Sequence, residues 1–338
     1  MKYLIFILST VTIFGCTKKE IGPQHINEPL FAGQKVLVLN EGNFGWGNAS
    51  ISAYNPNQNR VANGIFSSVN NVPLGDVCQS GIRWNTSYLI VVNNSNRIEI
   101  LDSTNLESIG HIDCMGSPRY LLPARHERAY VSDLYSGLLG IVNLDNYQLV
   151  DSIPVPGWVE NLIYANDFLY ATCPNDESVI CIDTTFNAVI QSIDVGIVAT
   201  SVVKDRNNQL WVLGLGSGAT SAHLLCIDPS TNTIITNFEF PEFEAPTQLK
   251  INGTGEELFY LNNGICRMHI SDNELPSNKL ITGYGQNNYG LSINPLTNEI
   301  YLTDAKDFIQ PGSLFRFSQN GQLIDSVDCG IIPQAVIF

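Results

Sequence analysis

VICIDTTFNAVIQSI, Val179 to Ile193, reads as two short strands joined by a tight turn. Apolar and polar residues alternate, Asp183 and Thr184 open the turn, and Ala188, Val189 and Ile190 resume a β-prone run. The same phrase recurs along the chain. Ile100-Leu101-Asp102 leads into STNLESIGHI, Leu144-Asp145 into NYQLVDSI, and Ile227-Asp228 into PSTNTIITNF. Weaker copies start at Tyr54-Asn55, Ile270-Ser271 and Phe317-Ser318. With the turn-opening residue as marker, the copies fall at positions 55, 102, 145, 183, 228, 271 and 318, spaced 38 to 47 residues apart. Short strands and polar turns at that period are the signature of a β-propeller with one blade per repeat. The predicted fold is therefore all-β, a seven-bladed β-propeller of four-stranded antiparallel blades.

Working outward, a second strand precedes each marker strand, at Val36–Asn40, Tyr88–Val92, Arg128–Asp133, Phe168–Thr172, Leu210–Leu213, Leu258–Leu261 and Ile300–Thr303. Innermost strands precede these in turn, as in SPRYLLP from Ser117, ENLIYA from Glu160, TSVVKD from Thr200, PTQLKI from Pro246 and YGLSIN from Tyr289. The first repeat lacks one. The chain ends instead on Ile332 to Phe338, IPQAVIF, which resembles the other innermost strands. The C-terminal strand is thus expected to close the first blade, pairing both chain ends and leaving no open ring edge.

The repeat fills residues 31–338 of a 338-residue chain, so one closed body is expected rather than two domains. Lys plus Arg number 17 against 32 Asp plus Glu, a formal charge of −15. Such a surface repels phosphate backbones, which argues against nucleic acid as a partner. At the start, Met1 and Lys2 precede an apolar run from Tyr3 to Phe14, too short for a bilayer span. Ile13-Phe14-Gly15-Cys16 looks like a bacterial lipobox. The expectation is a signal peptide over residues 1–15, lipidation of Cys16, and a flexible tether over residues 16–30 that carries Gly22, Pro23 and Pro29. Seven further cysteines, at 78, 114, 173, 181, 226, 266 and 329, are an odd number and read mostly as small buried hydrophobes.

No catalytic constellation emerges. The histidines at 25, 111, 126, 223 and 269 have no metal-ligand spacing; His25 lies in the tether and the rest are expected on outer strands or turns. The chain has no C-x-x-C, no G-x-S-x-G elbow and no phosphate loop. No catalytic residue, metal or cofactor is expected.

One face stands out instead. Loops from second to third strands, and from fourth strands to the next blade, emerge on the same side of a propeller. There the sequence places carboxamides, carboxylates and aromatics: Asn43, Trp46, Asn93, Asn94, Asp133, Tyr135, Trp158, Asn175, Asn262, Asn263, Tyr289 and Asp304. Amides donate and accept at once, and aromatic faces stack on planar or sugar-like ligands, so this set suits a large, neutral, hydrogen-bond-rich ligand better than a catalytic centre. The same Asn and Asp residues also make turns, which is the competing explanation for them.

LNEGNFGWGNASISAYNP, PLGDVCQSG, VVNNSNRIEILD, SPRYLLP and AYVSDLYSG resemble the YncE-like seven-bladed propeller lipoproteins of Bacteroidota, over essentially residues 35–338. One branch of that family, the BtuG proteins, captures cobalamin at the cell surface for a TonB-dependent outer-membrane transporter. The resemblance implies an outer-membrane lipoprotein, anchored by its lipid and exposed at the cell surface. It further implies a non-enzymatic capture protein, with cobalamin or a related corrinoid as the leading ligand and such a transporter as partner. The alternatives are a protein-interaction or surface-scaffold propeller without a small-molecule ligand, and a propeller enzyme.

Overall fold

The computed structural model describes residues 35–217 and 220–338. The expected signal peptide, Cys16, the tether with His25, and residues 31–34 lie outside the described residues. Seven antiparallel sheets form the ring. In the first blade, Pro333–Ile337 lies innermost and pairs antiparallel with Val36–Asn40, followed outward by Ser50–Asn55 and Arg60–Ala62. The chain end therefore closes the ring at the expected place. Leu37 pairs with Ile337 and Val38 with Val336, and Ile337 is buried between the first two blades. Gly290 on the seventh blade lies so close to the closing strand that a Cβ there would collide with the Gln334 carbonyl. The innermost strands of blades 2 to 7 are Cys78–Trp84, Pro118–Pro123, Leu162–Ala165, Val198–Lys204, Thr247–Ile251 and Asn288–Ile293.

Apolar packing explains why the second strands are the clearest elements of the sequence. Each is sandwiched between two neighbouring blades, so both parities of its residues are buried. In the second blade, Tyr88, Ile90 and Val92 pack toward the first blade, and Leu89 and Val91 toward the third. Seven such inter-blade clusters run around the ring, one per interface. The outermost strands have one neighbour fewer and their side chains are mostly exposed, as in Ala188–Asp194, where Ile193 alone is buried.

Three expectations are corrected. In the third blade the turn-opening residue is Asn143, not Asp145, because the Asn143 Oδ1 accepts the backbone N–H groups of Asp145 and Asn146 at 2.8 and 3.2 Å. Asp183 does the same for Thr185 and Phe186 at 2.7 and 3.2 Å, so an Asx-type turn is the shared device. The sixth blade has three strands in its sheet rather than four. Its third strand stops at His269, where Asp272 Oδ2 captures the His269 N–H, and residues 271–279, which include Pro276, form no strand. Only an isolated bridge from Ile281 to Ile265 occupies the outer position. Of the histidines, His111 is on an outer strand and His126 in a turn, but His223 opens and His269 ends a third strand. The seven cysteines in the described residues are all unpaired, six of them buried and Cys114 half-buried.

Candidate functional site

The innermost strands converge on the ring axis, and their pairing is irregular at the end where they enter from the preceding blade. Six of the seven carry a β-bulge there. Between Cys78 and Ser80 the ladder skips Gln79; between Ala199 and Ser201 it skips Thr200; between Asn288 and Gly290 it skips Tyr289. On the closing strand the skipped residue is Gln334, and the bulges of blades 3 and 6 contain Arg119 with Tyr120 and Gln248. A bulge leaves one residue outside the ladder and re-aims its side chain. Here each of these bulge residues lines one axial cavity of about 360 Å³. In the fourth blade, where the inner strand has no bulge, Glu160 and Asn161 supply the wall from just before the strand.

The cavity is polar and internally braced. Arg119 meets Glu160 through two parallel bonds, Nε to Oε2 at 2.8 Å and Nη2 to Oε1 at 2.7 Å, and its Nη1 donates to Gln79. Burial is the largest single influence on the guanidinium and opposes its charge, but the bond to Glu160 together with the charges of Glu160 and Glu41 and the Tyr120 hydroxyl holds the Arg119 pKa above its ordinary value. Trp158 Nε1 donates to the same carboxylate at 2.6 Å. Across the mouth, the Tyr289 hydroxyl donates to Glu41 Oε2 at 2.9 Å. Burial pushes the Glu41 carboxyl up to about 7 against the opposing pull of Tyr289 and Arg119. Lys250, half-buried on the wall, is pulled down to about 8 by burial alone. A cleft of about 320 Å³ between blades 6 and 7, lined by Asn263, Tyr284 and Asn287 among others, adjoins the cavity and shares Thr247 and Asn288 with it.

The sequence-predicted residues divide by position. Tyr289 lies in the cavity wall, Trp158 braces it through Glu160, and Asn263 lines the adjoining cleft. Several others hold loops in place. Asn93 is buried and donates to the Pro118 carbonyl at 2.9 Å. Asp133 is buried and its Oδ1 accepts the N–H groups of Tyr135 and Ser136 at 2.9 and 2.6 Å. Asp304, also buried, does the same for Asn287 and Lys306 at 2.7 and 3.0 Å. Asn94 donates to Asp76 and Asn262 to Glu244, each at 2.7 Å, across exposed loops. Asn43 ties the first-blade loop to the seventh by donating to the Phe308 carbonyl at 2.7 Å. Asn175 is exposed on a 3₁₀ turn. Trp46 and Tyr135 project into solvent, 78 % and 79 % exposed. Sequence reading passed over Gln79, Arg119, Glu160, Lys250 and Gln334. The signal available was a charged or amide residue inside an otherwise apolar innermost-strand phrase, as in SPRYLLP, PTQLKI and IPQAVIF.

Fold and site together define a seven-bladed propeller with a polar axial cavity on the face that carries the inter-blade loops. The chain belongs to the family described as "Domain of unknown function (DUF5074)", whose profile matches residues 34–331. No curated protein matches it in sequence. Among solved structures it is similar to a quinoprotein alcohol dehydrogenase-like protein from Bacteroides thetaiotaomicron, with a TM-score of 0.67, 13 % identity, and 89 % of this chain and 77 % of that one covered. It is also similar to the periplasmic gluconolactonase of Pseudomonas aeruginosa, with a TM-score of 0.66, 12 % identity, and 89 % and 98 % covered. A protein from Lactobacillus plantarum matches with a TM-score of 0.65 at 12 % identity, with 90 % and 99 % covered. At these identities the likeness is one of fold.

Proposed function

We propose that this protein is a non-enzymatic ligand-capture lipoprotein of the outer membrane, belonging with the YncE-like propellers, that binds its ligand over the axial cavity. The observation that carries the reading is the set of bulged inner strands that turn polar side chains from around the ring into one cavity. Its strongest charges are spent on each other, Arg119 on Glu160 with Trp158 as a third partner, which suits a rigid seat.

A corrinoid is the leading ligand. Its many amide groups match an amide- and hydroxyl-lined mouth, and its size exceeds the cavity, so it would lie across the face and reach toward the cleft between blades 6 and 7. The lipid anchor at Cys16 and hand-over to a TonB-dependent transporter belong to the same reading. Phe44 and Ile309, 74 % and 73 % exposed on loops joined by the Asn43 bond to Phe308, offer an apolar patch on the rim of blades 1 and 7. That patch favours a protein contact there, whether as the transporter's seat or as the main role of a scaffold propeller.

All seven sheets are built from residues 36–337, so the body 31–338 suffices for the test. It is titration calorimetry of that body against cyanocobalamin, with heme and a panel of oligosaccharides as controls. Saturable one-to-one binding of the corrinoid alone, weakened by Trp46→Ala, supports the reading. Silence across the panel refutes capture of these ligands and turns attention to the rim patch and a pull-down from outer membranes.

A further inference from the structure

Within the axial cavity, Lys250 differs from the other charged groups. Arg119 is neutralised by Glu160, whereas among the described residues Lys250 has no hydrogen bond or ion pair, and burial is the sole influence on its titration. A half-buried cation with no counter-charge within reach lowers stability unless a ligand supplies one. A second, independent feature points the same way. Gln334 is only 7 % exposed, its side chain reaches the Tyr120 hydroxyl, and its Oε1 has no hydrogen-bond partner. An orphaned buried acceptor calls for a donor from outside. The wall between these two groups is made of hydroxyls and amides, including Asn161, Thr200, Ser201 and Gln248, and the whole lining contains no aliphatic side chain.

We propose that the axial cavity binds the oxyanion end of a hydroxyl-rich ligand, with the Lys250 ammonium taking a carboxylate or phosphate and Gln334 Oε1 accepting a hydrogen bond from a ligand hydroxyl. The cavity of about 360 Å³ has room for a group the size of one sugar ring. This proposal goes beyond the capture reading, since it holds for a small free acid as well as for an anionic arm of a larger ligand.

Three probes on one scaffold test it: glucose, glucuronate and glucose 6-phosphate, titrated calorimetrically into the protein and into Lys250→Met. The expected result is that at least one charged sugar binds tenfold or more tightly than glucose, and that Lys250→Met reduces it to the level of glucose. Preference for glucuronate assigns the seat to carboxylates, and preference for glucose 6-phosphate to phosphates. Lys250→Met should also raise the melting temperature of the unliganded protein, because it removes an uncompensated charge. The proposal is overturned if neither charged sugar outbinds glucose, or if the preference survives in Lys250→Met. Should that variant not fold, the comparison of charged and neutral sugars in the unaltered protein still decides. A cyanocobalamin titration run alongside separates the two readings: corrinoid binding without charged-sugar binding removes the oxyanion seat and leaves capture standing, and the reverse does the opposite.

Discussion

Replacing Glu160 by Gln tests whether the braced wall of the cavity is also a structural keystone. The carboxylate accepts three charge-assisted or polar bonds, two from Arg119 and one from Trp158, and the Arg119 and Glu160 side chains are 19 % and 6 % accessible. A glutamine can accept through one atom only, so its amide nitrogen faces a donor and the guanidinium loses its counter-charge. Breaking one side of a buried ion pair costs about 3–5 kcal/mol. Arg119 keeps its bond to Gln79 and some contact with the channel, which places the expected loss near the lower end, at about 3 kcal/mol. Arg119→Met should cost a similar amount. The double variant Arg119→Met/Glu160→Met should be far more stable than the sum of the single losses, since no lone charge remains, giving a coupling of roughly 2 kcal/mol or more. Urea denaturation followed by tryptophan fluorescence measures all three, with a shift in midpoint at constant slope as the signature. A loss below about 1 kcal/mol for Glu160→Gln, or additivity in the double variant, would refute the claim that this pair is isolated from solvent.

Ile337→Ala should cost about 2–5 kcal/mol in the same assay, because Ile337 fills the seam between the first two blades; deletion of residues 332–338 should lower the melting temperature severely, and a small effect of either would argue against closure by this strand. Glu41 titrates near 7 in the fold against an ordinary 4.5, so between those values the folded protein holds a proton that the unfolded chain has released. Stability should therefore fall as pH rises through that window, by on the order of 3 kcal/mol, and Glu41→Gln should remove that slope from urea midpoints measured between pH 5 and 7. A thiol reagent added to the native body 31–338 should modify Cys114 first and slowly, since burial pushes that thiol up to about 12, and all seven thiols should react only after unfolding. Fast native reaction of several cysteines would contradict the packing of the inter-blade clusters.

The ring was legible because its constraint repeats. A second strand buried on both faces has to be apolar throughout, and YLIVV at 88–92 or FLYAT at 168–172 can be little else. The closing strand was legible for the complementary reason: the first repeat had no innermost strand and the chain end had a spare one. Where the repeat relaxes, the pattern misleads. Asn143 and Asp183 make the same turn with different side chains, so a rule keyed to Asp slipped by two residues in the third blade. In the sixth blade, nothing in the phrase after Ile270 announces that His269 and Asp272 close the strand early.

The cavity was harder to see because position on a strand does not by itself say where a bulge falls. Arg119 and Tyr120 read as part of a strand, and in regular pairing their side chains would point into the two neighbouring blades. The bulge takes up one extra residue between Pro118 and Leu121, and both side chains line the axis instead. Five other inner strands make the same break at the same end. A bulge sacrifices ladder hydrogen bonds, and closing the ring does not require one, since the fourth blade manages without. The residues it releases here are amides, hydroxyls and charges rather than the apolar groups that would plug an axis for stability alone. That choice separates two kinds of polar residue on this face. Asn93, Asp133 and Asp304 are consumed by the loops they shape, whereas Gln334 and Lys250 are left with bonding capacity directed at the cavity. Only the second group keeps bonding capacity for a ligand, and the turn-forming role of Asn and Asp fully accounts for the first.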